Sequence, residues 1–186
     1  MHLSKTSAYI HYRLRIILSL LILALFPALA LATENSNTNL KVDAQDLDQT
    51  IDLLPFSSYF IDHSFQNKID DITNLTNQDW TKNENSSQNF GQINAPIWFK
   101  IQIKNTHKHR EKLYLELSYP HHDFVSFYYH DQKKILKETH TGDLLPFKSR
   151  SNTEPNFISP IPDSNKPLDI YISVRSQGLL KIPLYL

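Results

Sequence analysis

The sequence predicts an all-β fold, an antiparallel β-sandwich or jelly roll, for the chain beyond about residue 46. Three observations predict it. Several segments alternate apolar and polar residues with a period of two, which places one strand face in a core and the other outside. Turn signals recur between these segments at short intervals. No connection is long enough to hold the crossover helices that a parallel sheet would require.

In chain order, residues 33 to 46 are polar and rich in Asn, Asp and Thr, and read as a flexible lead-in. Ser58 to Asp62 reads as a short first strand. Ser64 to Leu75 reads as a short helix or helical turn, with Phe65, Ile69 and Ile72 spaced for one face. Residues 76 to 95 are loop-like, with Trp80 and Phe90 as isolated anchors, and Gly91 to Pro96 is a turn. Ile97, Phe99, Ile101 and Ile103 alternate with Trp98, Lys100, Gln102 and Lys104 in the clearest strand of the chain. Leu113, Leu115 and Leu117 mark the next one. Pro120-His121-His122-Asp123 turns the chain into a strand from Phe124 to His130, aromatic on both faces. Shorter strands are expected at Lys134 to Thr139 and Asn156 to Ser159, separated by the turn Thr141-Gly142-Asp143. The proline-rich run from Pro160 to Pro167 is excluded from a regular strand or helix interior. Ile170, Ile172 and Val174 mark a further strand, and Gln177-Gly178 leads into a last one over Leu179 to Leu186.

The start of the chain differs in kind. Lys5, Arg13 and Arg15 precede an apolar run from Ile16, which ends at Ala30-Leu31-Ala32 before an abrupt change to Thr33-Glu34-Asn35. A basic start, an apolar middle and a small-x-small end are the three parts of a secretory signal, so residues 1–32 are expected to be a signal peptide cleaved near Ala32. The alternative is an uncleaved membrane anchor, since the run lies at the lower edge of spanning length. The remaining 154 residues are enough for one domain with a hydrophobic core. They hold all nineteen acids and sixteen of the nineteen Lys and Arg, a net charge of −3, which provides no basic stripe for nucleic acid. The absence of cysteine excludes a disulfide scaffold, a thiol nucleophile and thiolate metal ligands. These features together predict an exported domain held by core packing alone, which fits a bacterial periplasm at least as well as a eukaryotic exterior.

Signals for chemistry are sparse. His121-His122-Asp123, with His130 and His140, offers ligand types for a metal but not the spacing of a known site, so a polar turn is the simpler reading. With only three glycines, Gly91, Gly142 and Gly178, a phosphate-cradling loop is excluded. Asp123, Glu138 and Asp143 are the acids that a glycan hydrolase would have to pair. Trp98, Tyr114, Tyr119, Tyr128 and Tyr171 sit among polar neighbours, several of them on the strand face opposite the aliphatic one. Such rings form a platform for a sugar or another amphipathic ligand, or else are covered by loops or a neighbouring domain.

A set of short pieces in fixed order resembles a known family. They are Ala95-Pro96-Ile97-Trp98-Phe99-Lys100 with Asn105, Leu113 to Pro120, Val125-Ser126-Phe127-Tyr128, Thr141-Gly142-Asp143 with Pro146-Phe147 and Arg150, and Ile170 to Ser176 with Gly178 and Ile182-Pro183-Leu184. Over residues 47–186 the chain is similar to the type 2 extracellular sensor domain of bacterial seven-transmembrane receptors with diverse intracellular signalling modules. The resemblance implies a periplasmic, jelly-roll-like β-sandwich resembling carbohydrate-binding modules, placed before seven membrane helices and an output domain. It puts Trp98, Asn105, Tyr128, Gly142, Asp143, Arg150, Arg175 and Ser176 on recurrent positions, with an Arg175–Asp143 pair across strands as one structural role. Two departures are Asn156, where a basic residue usually precedes Phe157, and Ser164-Asn165, where a glycine is common. The membrane and output parts do not follow Leu186, which reads as a truncated product, a split gene or a free periplasmic binding protein.

The resulting expectation is a non-enzymatic sensor domain for a small carbohydrate-like ligand, acting on a membrane receptor or signalling protein. Trp98, Tyr128, Asp143, Arg150 and Arg175 are its expected ligand-binding residues, with no catalytic residue, metal, cofactor or nucleic acid. The alternatives are a structural or protein-interaction module and a glycan hydrolase.

Overall fold

A computed structural model describes residues 39–42, 49–83, 88–105, 112–151 and 153–186. The chain divides into a unit at 1–37, outside the described residues, and a unit at 38–186. The expected signal peptide, with its cleavage point, therefore also lies outside them.

The described residues of the second unit form ten strands: β1 (Asn39–Val42), β2 (Ser58–Ile61), β3 (Thr81–Lys82), β4 (Ile97–Asn105), β5 (Tyr114–Leu117), β6 (Phe124–His130), β7 (Ile135–Thr141), β8 (Phe157–Pro160), β9 (Leu168–Arg175) and β10 (Leu184–Tyr185). A single α-helix, α1 (Ile69–Thr73), is described. The large sheet runs β3-β2-β4-β9-β6-β7, and the small sheet runs β10-β5-β8. Pairing is antiparallel except for β1, which lies parallel to the C-terminal half of β4 while β2 pairs with its N-terminal half. The fold is thus the all-β sandwich that the period-two segments predict.

The core is the sum of those alternations. Ile97, Phe99, Ile101 and Ile103 from β4 meet Leu168, Ile170, Ile172 and Val174 from β9 and Val125, Phe127 and Tyr129 from β6, all buried. The small sheet closes over them with Leu115, Leu117, Phe157 and Leu184. Each large aliphatic or aromatic side chain so buried contributes roughly 1.5–3 kcal/mol from the water it leaves. Tyr129 is the polar exception: its hydroxyl, on the large sheet, donates to the carbonyl of Ser159 on the small one at 3.3 Å. The end of the chain is tied to residues 51–53, with Ile51 and Leu186 exchanging two backbone hydrogen bonds and Leu53 donating to Leu184.

Several elements differ from the sequence reading for identifiable reasons. Part of the supposed flexible lead-in, residues 39–42, is strand β1, because β4 is longer than β2 and leaves an edge to pair. Helix α1 is shorter than Ser64 to Leu75, and Phe65 falls outside it with φ +58° and half its surface exposed. The cause is Asp62, whose carboxylate takes the backbone N–H groups of Ser64 and Asn67 and holds the segment in a turn. Strand β7 runs two residues further than Thr139. Pro160 belongs to β8 rather than to the following loop; it ends the strand, opposite Tyr114, where its missing donor costs nothing on an edge. The expected last strand shrinks to Leu184–Tyr185 with an isolated bridge at Lys181. Leu180 and Ile182 bond instead to Gly91 and Gln88, and Pro183 has no donor to continue a ladder.

Candidate functional site

The antiparallel registers arrange the outward side chains of the large sheet in rows. One row reads Phe60, Trp98, Ser173, Ser126 and His140 across β2, β4, β9, β6 and β7. The next reads Lys100, Tyr171, Tyr128 and Glu138. On the other side, Arg175 stands opposite Phe124. Three of the expected ligand-binding residues, Trp98, Tyr128 and Arg175, therefore share one sheet face, each on a different strand.

This face has a covered half and an open half. Over Trp98 and Tyr171 lies a second apolar cluster made by Ile72 and Ile69 of α1 with Phe60, Leu75 and Trp80. Trp98 keeps only 4% of its surface exposed and Tyr171 only 2%. Lys100 closes the margin, with its ammonium 5.8 Å from the ring centres of both Trp80 and Tyr171. Burial pushes the Tyr171 phenol well up, so it stays a neutral hydroxyl. The buried indole N–H groups of Trp80 and Trp98 have no acceptor among the described residues.

Tyr128 carries the open half. It is half-buried, stacked on Trp98 with ring centres 5.8 Å apart and planes 25° apart, and its other neighbour is the edge of His140 at 5.6 Å. Ser126 Oγ is 2.9 Å from His140 Nδ1, and His140 Nε2 lies 3.8 Å from the Glu138 carboxylate, both of the latter side chains being exposed. Burial, reinforced by the Glu138 charge and opposed by the contact with Ser126, raises the Tyr128 hydroxyl above the ordinary phenol value. The arrangement is a ring with an apolar body, seated on a fixed indole and rimmed by hydroxyl, imidazole and carboxylate groups.

The remaining expected residues do not converge on that ring. Arg150 reaches Asp143 at 3.9 Å, donates to the carbonyls of Pro155 and Glu154, and lies over Phe157 at 5.0 Å. It organises the loop from β7 to β8. Arg175 is not paired with Asp143, as one reading of the resemblance has it; it lies over Phe124, 4.4 Å from the ring centre. Gly142, at φ +149°, allows a close approach: a Cβ there would sit 2.1 Å from the Asp123 carbonyl oxygen. Ser176 is buried, within 3.5 Å of the His121 carbonyl, and the side chain of Asn105 is outside the described set. Tyr114 and Tyr119 are off the aromatic face altogether, Tyr114 on β5 of the small sheet and Tyr119 against His121 and His122.

The other candidate chemistry is dispersed. His122 is fully buried with Nε2 2.7 Å from the Lys181 carbonyl, and no group of three or more potential metal ligands comes together among the described residues. Asp123 accepts the Gln177 N–H at 2.9 Å, Glu138 faces His140 and Asp143 faces Arg150, so each acid is engaged separately. One concave feature escaped the sequence reading. A cleft of about 480 Å³ opens where edge strands β7 and β8 meet, between Lys137 on one sheet and Tyr114 on the other. Its residues lie far apart in the chain, so no local motif signals it.

The fold defines an all-β sandwich of two mainly antiparallel sheets. Comparison with protein families identifies it more closely: the family model for 7TMR-DISM extracellular 2 matches residues 55–186, and the chain belongs to that family of extracellular sensor domains of membrane receptors. No curated protein matches the chain.

Proposed function

We propose that the chain is a periplasmic sensor domain that binds a small carbohydrate-like ligand on the open half of the large sheet's outer face and does not transform it. Tyr128 on its Trp98 seat carries this reading. A ring held flat by stacking offers C–H-rich sugar faces an apolar surface at little entropic cost, and Ser126, Ser173, His140 and Glu138 stand where ring hydroxyls need partners. Arg175 lies at the end of the same face. Asp143 and Arg150, also among the expected binding residues, act in this reading by holding the β7–β8 loop. Residues 1–32 serve as the export signal and 47–186 as the sensor, whose bound state is passed to a membrane receptor or signalling partner as a shift between conformations.

The test is a thermal-shift screen of the purified chain against neutral sugars and glycan fragments. A saturable rise in melting temperature that Tyr128→Ala abolishes is the expected result. A cooperative melt that no sugar displaces would remove the carbohydrate reading and favour a protein-interaction module.

A further inference from the structure

The cleft at the edge where β7 and β8 meet differs in chemistry from the aromatic face. Strand β7 ends the large sheet and β8 ends the small one, so the sandwich is open along this side. The inward positions of β7 are Lys137, Thr139 and Thr141, as their register with Tyr129, Phe127 and Val125 shows, and they are polar where the inward positions of β4, β6 and β9 are aliphatic or aromatic. Side chains alone bridge the gap: Lys137 Nζ donates to the Pro160 carbonyl at 2.7 Å, and Ser159 Oγ lies 3.5 Å from Thr139 Oγ1.

Lys137 is unusual for a lysine. Its ammonium lies 5.8 Å from the centre of the buried Tyr129 ring, and burial lowers its pKa. One of its three N–H groups is used by Pro160. Among the described residues no carboxylate forms an ion pair with it, although Asp163 borders the same cleft. A second ammonium, Lys112, lines the opening, with Ser151 beside it. Tyr114, 46% exposed and paired in register with Pro160, lines the same cleft from the outer face of the small sheet, together with Ile158.

We propose that this cleft is a second binding site, for a small ring-bearing carboxylate such as a uronic acid, with the carboxylate between Lys137 and Lys112 and the ring face on Tyr114. A partly desolvated ammonium with free donors and no counter-ion gains a charge-assisted hydrogen bond when a carboxylate enters. The exposed ring gives the rest of the ligand an apolar surface. A neutral sugar meets the ring but leaves both ammonium groups uncompensated, so the site selects for the acid. The competing account is that Lys137 is an inward charge that keeps an edge strand from pairing with another molecule.

Isothermal titration of the purified full chain with D-galacturonate, and with D-galactose as its neutral counterpart, tests the proposal. The expected result is saturable binding of galacturonate that weakens as salt rises. It should weaken at least tenfold in Lys137→Met and measurably in Lys112→Met, while Tyr128→Ala leaves it unchanged. Lys112 is exposed, so its variant stays folded and keeps the test valid if Lys137→Met does not. No binding of galacturonate, equal binding of galactose with the same lysine dependence, or indifference to both lysine substitutions would overturn the proposal. Loss of galacturonate binding in Tyr128→Ala would overturn it too, by assigning the acid to the aromatic face. Sugar binding on that face stands or falls separately, on the neutral sugars.

Discussion

His122 Nε2 lies 2.7 Å from the carbonyl oxygen of Lys181, joining the turn before β6 to the segment that leads into β10. A carbonyl only accepts, so Nε2 carries the proton and Nδ1 is the bare nitrogen. Nδ1 is buried without a partner among the described residues. Burial pulls the imidazole pKa below 6.5; the bond to Lys181 and the Asp123 charge oppose this incompletely, and His121 adds to it. The unfolded chain therefore binds a proton at this residue before the folded chain does, and stability rises with pH through the window just below 6.5.

The melting temperature is accordingly expected to fall as pH drops from 7.5 toward 5.5, with His122 contributing at most about 1.4 kcal/mol per pH unit. His122→Gln keeps a donor in the Nε2 position and has no proton to gain. Its melting temperature should depend less on pH over that window, measured by circular dichroism alongside the parent chain. Parallel pH profiles would mean that His122 does not titrate on unfolding.

Asp62 should show the acid-side counterpart. Burial raises its carboxyl, but hydrogen bonds from the Ser64 hydroxyl and the Asn67 backbone and side chain outweigh burial and hold the pKa below 3.8. The stability it contributes is present above 3.8 and lost as pH falls through the lower folded value. Asp62→Asn turns one acceptor into a donor facing the N–H groups of residues 64–67, at a cost of about 1–3 kcal/mol near neutral pH. In urea denaturation the gap between the two proteins should narrow as pH falls below 3.8.

Gly142→Ala is expected to cost about 3 kcal/mol or more. The added Cβ would meet backbone atoms of Asp123 and Phe124 at 2.1–2.8 Å, and neither can move without opening the start of β6. Gly91→Ala is the matched control, since φ is also positive there (+72°) but nothing lies within 4 Å of the new methyl group. Only the strain of a left-handed alanine, about 1 kcal/mol, should appear. Equal losses at the two positions would refute the close-approach argument.

The residues on the aromatic face and in the β7–β8 loop should separate by phenotype. Trp98→Ala removes the buried seat and should cost about 3–5 kcal/mol of stability. Tyr128→Ala should cost less, because the ring is only partly buried, and should abolish the thermal shift given by neutral sugars. Arg150→Ala should destabilise by about 1–3 kcal/mol through loss of its carbonyl bonds and its packing on Phe157, with sugar affinity unchanged. An Arg150 variant of normal stability that no longer responds to sugar would make the arginine a ligand contact.

The strands were the legible part of this protein. Ile97 to Ile103 and Ile170 to Val174 alternate so regularly that each element, and the face it buries, follows from local pattern alone, while Phe124 to His130 shows the strand but, aromatic on both faces, not which side it buries. The order of the motif pieces carried the family in the same way, because both signals reside in residues close together in the chain. Legibility failed where a partner from elsewhere decides. Phe65 has helical spacing with Ile69 and Ile72, yet the Asp62 carboxylate takes the backbone donors first. Trp98, on a face the sequence left either open to ligand or covered, is shielded by α1 and Trp80, whose positions nothing in β4 specifies.

The sequence by itself thus determined an all-β sandwich, the composition of its core and the set of aromatic and basic residues left over. Tertiary structure alone decided which of those leftovers are reachable. Strand register put Tyr128 beside His140 and Ser126, α1 covered the rings next to it, and sandwich closure brought Lys137 of one sheet against the Pro160 carbonyl of the other. The physical reason is range. Periodicity is set by the backbone within a few residues, whereas exposure and charge pairing are set by whichever distant surface packs against a side chain.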